Sequence, residues 1–164
     1  MEDTGEPRWL DAEEQRAWLA LVGLMIRLPA ALDAQLQRDA GISHFEYQVL
    51  AGLSMAPRRT RRMSELAEFV EGSLSRLSQV VSRLERRGWV SRTPDPDDGR
   101  YTLAVLTDNG WAKVVDTAPG HVGAVRSYVF DPLTRAQQRQ LSAIGQRIMR
   151  AIDPDNPCPP AEKV

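Results

Sequence analysis

The sequence of 164 residues holds one cysteine, Cys158, and two histidines, His44 and His121. A single thiol excludes a disulfide framework within the chain and a cysteine zinc site. The histidines have no Ser, Cys or paired carboxylates at a recognisable catalytic spacing, and no glycine motif cradles a phosphate. The sequence therefore carries no enzyme signature, no metal site and no cofactor. Apolar runs are short, and none approaches the roughly 18 residues that span a bilayer. Met1 to Pro7 is acidic and polar, unlike a secretory leader, so no membrane partner is expected and the default location is the cytoplasm. No internal repeat is visible. Lysine is scarce as well: 19 of the 21 basic residues are arginine.

What remains is a folded composition, 42% apolar and 26% charged, on a chain long enough for a real core. The net charge is −1, but it is unevenly spread. Residues 1–56 carry −5, residues 57–100 carry +3 and residues 101–164 carry +1. The middle third is the only clearly basic part, as a phosphate-contacting surface requires.

Periodicity and turn chemistry divide the chain. Asp11 with Glu14 forms a capping box for a helix reaching about Arg38, with Trp18, Val22, Met25, Leu28, Leu32 and Leu36 near a 3.6 period. Pro29 should kink it, and Gly41 closes it. Ser43 caps a second helix to about Ser54. A short third helix, near Met63 to Val70, turns Leu66, Phe69 and Val70 inward. Glu71-Gly72-Ser73 is a tight connection in which Gly72 can take positive φ. Ser73 caps a fourth helix, about Leu74 to Arg87, closed by Gly88. The period then falls to two. Trp89 to Thr93 and Tyr101 to Leu106 read as a hairpin around the turn-rich Pro94 to Gly99. The aspartates of that turn lack the spacing and terminal Glu of a calcium loop. Thr107 caps a fifth helix, which Pro119-Gly120 should kink or split. Thr134 with Gln137 caps a sixth, placing Leu141, Ile144, Ile148 and Ile152 on one face.

Short helix, tight turn, longer helix and hairpin make a winged helix-turn-helix plan, whose second helix normally enters the major groove. The fourth helix has a face to spare for this. At 100° per residue, Leu74, Leu77, Val80, Val81 and Leu84 fill an apolar arc about 120° wide and are assigned to the core. The opposite arc holds Ser75, Arg76, Gln79, Ser82, Arg83 and Arg86, with no acid. A merely solvated face would mix acids with bases. Arg can pair with guanine and Gln with adenine, and Ser reaches phosphates or bases. The expected DNA-binding set is therefore Ser73, Ser75, Arg76, Gln79, Ser82, Arg83 and Arg86, with Arg92 and Arg100 on the wing. Arg100 could instead pair with Asp97 or Asp98 and stiffen the turn.

Several strings here resemble the multiple-antibiotic-resistance regulator (MarR) family. They are Ser64-Glu65-Leu66-Ala67, the run from Leu77 ending Leu84-Glu85-Arg86-Arg87-Gly88, Asp98-Gly99-Arg100 and Leu106-Thr107-Asp108-Asn109-Gly110. The spacing of Asp98 and Arg100 to Leu106-Thr107 is similar to the family's wing motif, and the helix order agrees over about residues 10–152. The resemblance implies a homodimer paired through its terminal helices, a pseudo-palindromic operator, and release by a small aromatic or phenolic ligand held between the dimer helices and the lobe. Gly99 stands where many members carry a further Arg, which implies weaker minor-groove insertion. Cys158 lies far from the N-terminal region where redox-sensing members place a reactive thiol, so redox sensing is not expected.

The resulting expectation is a mainly α chain with a small β-hairpin wing. Residues 1–10 form an N-terminal tail, 11–40 and 108–152 a helical dimerisation region, 41–107 the winged helix-turn-helix lobe, and 153–164 a disordered tail. Its function is sequence-specific binding of double-stranded DNA, as a ligand-released repressor. The alternative is a winged helix that binds another protein and no DNA. Trp18, Arg16, Arg27, His44, Tyr47 and Trp111, with Trp9, are candidates for an effector cleft, the aromatics giving contact area and an Arg meeting a carboxylate. Trp18 and Trp111 equally fit core or dimer contacts, and His44 a plain helix start.

Overall fold

The computed structural model describes residues 7–154; Met1 to Glu6, Cys158 and the expected disordered tail from residue 155 onward lie outside the described residues. The helices are α1 (Ala12–Ala40), α2 (His44–Ser54), α3 (Met63–Phe69), α4 (Leu74–Arg86), α5 (Asp108–Val125) and α6 (Arg135–Ile152). Three short strands accompany them: β1 (Thr60–Arg62), β2 (Val90–Pro94) and β3 (Thr102–Leu106). The chain divides into two units, residues 1–121 and 122–164.

Local sequence accounts for the boundaries in the first unit. Asp11 and Glu14 close the capping box of α1, Ser43 and Glu46 that of α2. Gly41 ends α1 at φ 65°, a left-handed conformation that costs a residue without a Cβ little. Thr107 Oγ1 accepts from the Gly110 N–H at 3.0 Å and donates to the Gly88 carbonyl at 2.7 Å. Gly110 itself must lack a side chain, because a Cβ there would strike the Trp89 carbonyl.

The core of this unit lies where α2, α3 and α4 meet the sheet. Leu36, Val49, Leu50, Leu53, Leu66, Leu77, Val81, Leu84 and Ala104 are fully buried. Each such aliphatic side chain removed from water contributes roughly 1.5–3 kcal/mol. The last carbonyls of α1 are capped from elsewhere in the lobe. Lys113 Nζ donates to Ala40 O at 2.8 Å, and Arg87 to Gly41 O at 3.2 Å. Both cations also face the ring of Trp89, at 5.4 and 5.0 Å.

The second unit contains the end of α5, a π-helical turn at Arg126–Phe130, and α6. Thr134 and Gln137 form the expected capping box of α6. Leu141, Ile144, Ile148 and Ile152 are all exposed.

Six expectations need correction. The sheet has three strands in the order β1-β3-β2, not two, because Thr60–Arg62 pairs with Leu103–Val105. Glu71, not Gly72, takes positive φ at 48°. Gly72 is required for space instead, since a Cβ would meet the Phe45 ring at 2.9 Å. Leu74 is 55% exposed rather than core, because in the first turn of α4 it lies beyond the packed layer. Phe69 is 43% exposed, lying across Gly52 with the Arg61 guanidinium 4.8 Å from its ring. Helix α5 continues through Pro119-Gly120, and the irregular turn comes later, at residues 126–130. Finally, by length and composition α1 could cross a membrane. The short-run reading missed this because Arg27 and Asp33 interrupt the apolar string without making it polar. Leu32, Gln35 and Leu36 near its C-terminal end are nonetheless buried within the protein.

Candidate nucleic-acid interface

Helix α4 shows how one sequence serves two environments. Leu77, Val80, Val81 and Leu84 are 0–3% exposed. Ser75, Arg76, Gln79, Arg83 and Arg86 on the other side are exposed. Ser73 Oγ is occupied as the N-cap, accepting from the Arg76 N–H at 3.2 Å. Among the described residues Ser75, Gln79 and Arg86 have no intramolecular partner.

The remaining expected DNA contacts are held by neighbours. Arg76 stacks on Phe45, 4.1 Å from its centroid. Arg83 Nε reaches Glu46 Oε1 at 3.4 Å. Glu46 is itself buried, and its other oxygen accepts from the Ser43 N–H and hydroxyl that start α2. Arg83 is therefore steadied from behind while 47% of its side chain stays exposed. Arg100 pairs with Asp98 inside the turn at 2.6 Å and remains 83% exposed. Arg92 and Ser82 are joined to each other, Arg92 Nη2 donating to Ser82 Oγ at 3.0 Å.

The wing has a second fastening that sequence reasoning passed over. Arg62 Nε donates to Asp95 Oδ2 at 2.7 Å and lies 4.4 Å from the Tyr101 ring. Asp95 is buried and also accepts from the Asp97 N–H. That backbone bond, with the Arg62 guanidinium, holds the Asp95 carboxyl below its usual range. Arg100 does the same for Asp98. Asp95 was legible only as turn chemistry, and Arg62 only as one of a basic run.

The effector candidates scatter. His44 and Tyr47 are brought together, with His121 of α5 as the unforeseen third member. The His121 ring lies 4.5 Å from Tyr47 and 6.0 Å from His44. Burial lowers the pKa of both histidines. The Asp33 carboxylate partly offsets this for His44, and His44 adds to it for His121. Burial raises Tyr47. Nearby on α1 and α5, Gln35 Oε1, Thr117 Oγ1 and His121 Nδ1 are buried with no hydrogen-bond partner among the described residues. Trp111 is engaged differently: Arg59 stacks on it at 4.3 Å and pairs with Asp108 at 3.1 Å. Arg16, Trp18 and Arg27 are exposed along α1, and Trp9 precedes it at 82% exposure. Among the described residues no group of three or more His, Cys, Asp or Glu is placed to hold a metal ion.

Comparison with known proteins agrees with this geometry. A family model described as the MarR family matches residues 40–100. The chain is 47% identical to Sco3205 of Streptomyces coelicolor, a MarR family transcriptional regulator solved in complex with DNA. That match covers 93% of this chain and 95% of the other, at a TM-score of 0.86. AbsC, a MarR family transcriptional regulator from the same organism, is 32% identical over 91% of this chain and 100% of its own, at a TM-score of 0.84. CouR of Rhodococcus jostii RHA1, solved bound to p-coumaroyl-CoA, is 26% identical over 84% of this chain and 92% of its own, at a TM-score of 0.67. Curated relatives from Bacillus subtilis and Escherichia coli, both HTH-type transcriptional regulators, are 30% and 31% identical over 48% and 43% of this chain. The chain spans 54% and 43% of their lengths.

Proposed function

The chain belongs to the MarR family of transcriptional regulators, and on that premise we propose that it is a dimeric repressor that binds a pseudo-palindromic operator through α4 and the wing. The observation that carries this reading is the division of α4. Its apolar arc is satisfied inside the lobe, so the acid-free arc of Ser75, Arg76, Gln79, Arg83 and Arg86 faces outward, with Ser75, Gln79 and Arg86 unpartnered and Arg76 and Arg83 braced from behind by Phe45 and Glu46. Gln79 and Arg83 are the base readers; Arg76, Arg86, the serines and Arg100 face phosphates. The exposed apolar stripes of α1 and α6 supply the dimer contact. This corresponds to residues 11–40 and 108–152 as the dimerisation region and 41–107 as the DNA-binding lobe.

The effector is a small aromatic or phenolic molecule. The His44, Tyr47 and His121 rings offer it contact area, and the unpartnered atoms of Gln35, Thr117 and His121 offer it hydrogen bonds. Bound ligand favours a dimer state whose two α4 helices no longer match successive major grooves. It does so only by its differential affinity for the two states.

Titrating the purified protein with DNA from upstream of its own gene tests the reading. Affinity should fall steeply with salt. Replacing Gln79 with Ala should cost about 1–3 kcal/mol of base discrimination while thermal stability holds. Arg83→Ala should cost a similar discrimination and also lower stability, because buried Glu46 loses its cation. Binding that ignores salt, or retention of a protein partner in place of DNA, would overturn it.

A further inference from the structure

Resting on that reading, we infer that Glu85 and Arg92 do not contact DNA but lock the wing to the recognition helix, setting the spacing at which the two engage the duplex. Glu85 is the only acid on α4. Its Oε1 accepts the backbone N–H of Arg92 at 3.0 Å, and its Oε2 accepts Arg92 Nε at 2.8 Å and lies 2.6 Å from Nη2 in the ion pair. Arg92 Nη2 also donates to Ser82 Oγ, one turn before Glu85. One carboxylate thus binds both the main chain and the side chain of the middle residue of β2.

The topology explains why this is possible. β2 is an edge strand, paired only with β3. An edge strand directs alternate backbone N–H groups away from the sheet, and those groups need partners. The outward N–H of Arg92 finds Glu85. Two of the three guanidinium nitrogens are spent within the protein, and the side chain is only 33% exposed. Arg100 also spends Nε and Nη2 on a carboxylate, but it differs in where that partner lies and in exposure. Its partner Asp98 lies two residues away in the same turn, and its side chain is 83% exposed. Arg100 is therefore the wing's contact to DNA, and Arg92 is a strut.

A strut and a contact respond with opposite signs. By field alone, Glu85→Gln removes a negative charge beside DNA and should tighten binding. As a strut component its loss frees the wing and should weaken operator binding about tenfold, the value of a charge-assisted hydrogen bond. Arg92→Lys keeps the charge but not the planar fork. It should weaken binding to a similar extent while the slope of log affinity against log salt stays unchanged. Arg100→Gln should lower that slope by about 0.9, the loss of one phosphate contact.

The experiment is operator binding by the full-length protein and these three variants across a salt series, with circular dichroism melts alongside. Weakened Glu85→Gln and Arg92→Lys at wild-type slope supports the inference. Tighter binding by Glu85→Gln, or wild-type affinity in Arg92→Lys, overturns it and leaves the DNA reading standing. If Glu85→Gln melts early, a fourth variant, Arg92→Gln, decides: weaker binding at wild-type slope supports the strut, and a slope lowered by about 0.9 overturns it. Salt-insensitive binding by the wild type overturns both.

Discussion

Helices α4 and α6 carry equally regular apolar stripes, yet their surroundings differ. Leu77, Val81 and Leu84 of α4 are fully buried, whereas Leu141, Ile144, Ile148 and Ile152 of α6 are 43, 57, 40 and 71% exposed. Amphipathic spacing tells that a face must be covered; it does not tell by what. The stripe of α4 meets apolar faces of α2 and α3 within its own unit. The stripe of α6 has the residue types of a core and the exposure of a surface, the usual mark of an interface. Helix α1 contains both regimes. Leu32 and Leu36 are buried, while Trp18, Leu19, Met25 and Ile26 are more than half exposed.

This contrast can be broken at either end. The largest effect is expected at the closed end. Leu84→Ala should lower unfolding free energy by about 2–5 kcal/mol, because the transfer and cavity terms add in a packed site. Urea titration measures it, and a loss no greater than that of Ile152→Ala would erase the distinction between the two stripes. At the open end, the pair Ile144→Asp and Ile148→Asp should leave the lobe folded and yield a monomer in sedimentation. Operator affinity should then fall about a hundredfold, as one half-site no longer raises the effective concentration of the other. A variant that stays dimeric would move the interface away from α6.

The smallest effect sharpens the comparison inside the first unit, where α2 and α5 share the histidine pair. Both folded-state pKa values lie below the ordinary 6.5. Below that pH the unfolded chain takes up protons that the folded chain resists, so stability falls as pH drops from 6.5 toward the folded values. Above it both states are neutral and the effect vanishes. Denaturant midpoints across that window should decline for the wild type and less so for His121→Asn. Parallel declines would mean that the pair carries no strain.

Much of the fold was legible because local chemistry specified it. The capping boxes at Asp11, Ser43 and Thr134, the glycine at 41 and the arc on α4 each have a cause within a few residues. What escaped depended on distance along the chain. Strand β1 is three residues long and exists by pairing with residues 41 to 45 positions later. The Arg62–Asp95 pair and the Glu46 support of Arg83 join residues 33 and 37 apart. Periodicity has no access to such pairs. Leu74 and Phe69 failed for a related reason: a wheel assigns a direction, and whether anything lies there depends on where the neighbouring elements end. The exposed, acid-free arc followed from α4 alone, but which of its cations are free and which are braced required the tertiary structure.

The tryptophans give this architecture an optical consequence. Trp89 sits half-buried in the lobe, its ring faced by the two cations that cap α1. Trp9 and Trp18 stand at the surface before and along the first turns of α1. A water-borne quencher should reach Trp9 and Trp18 more readily than half-buried Trp89, with Trp111, 39% exposed under the Arg59 guanidinium, between them. On assembly through α1 the exposed pair should become shielded while Trp89 keeps its emission, and on melting of the lobe the order reverses. The unmodified chain thus carries one lamp for association and another for folding.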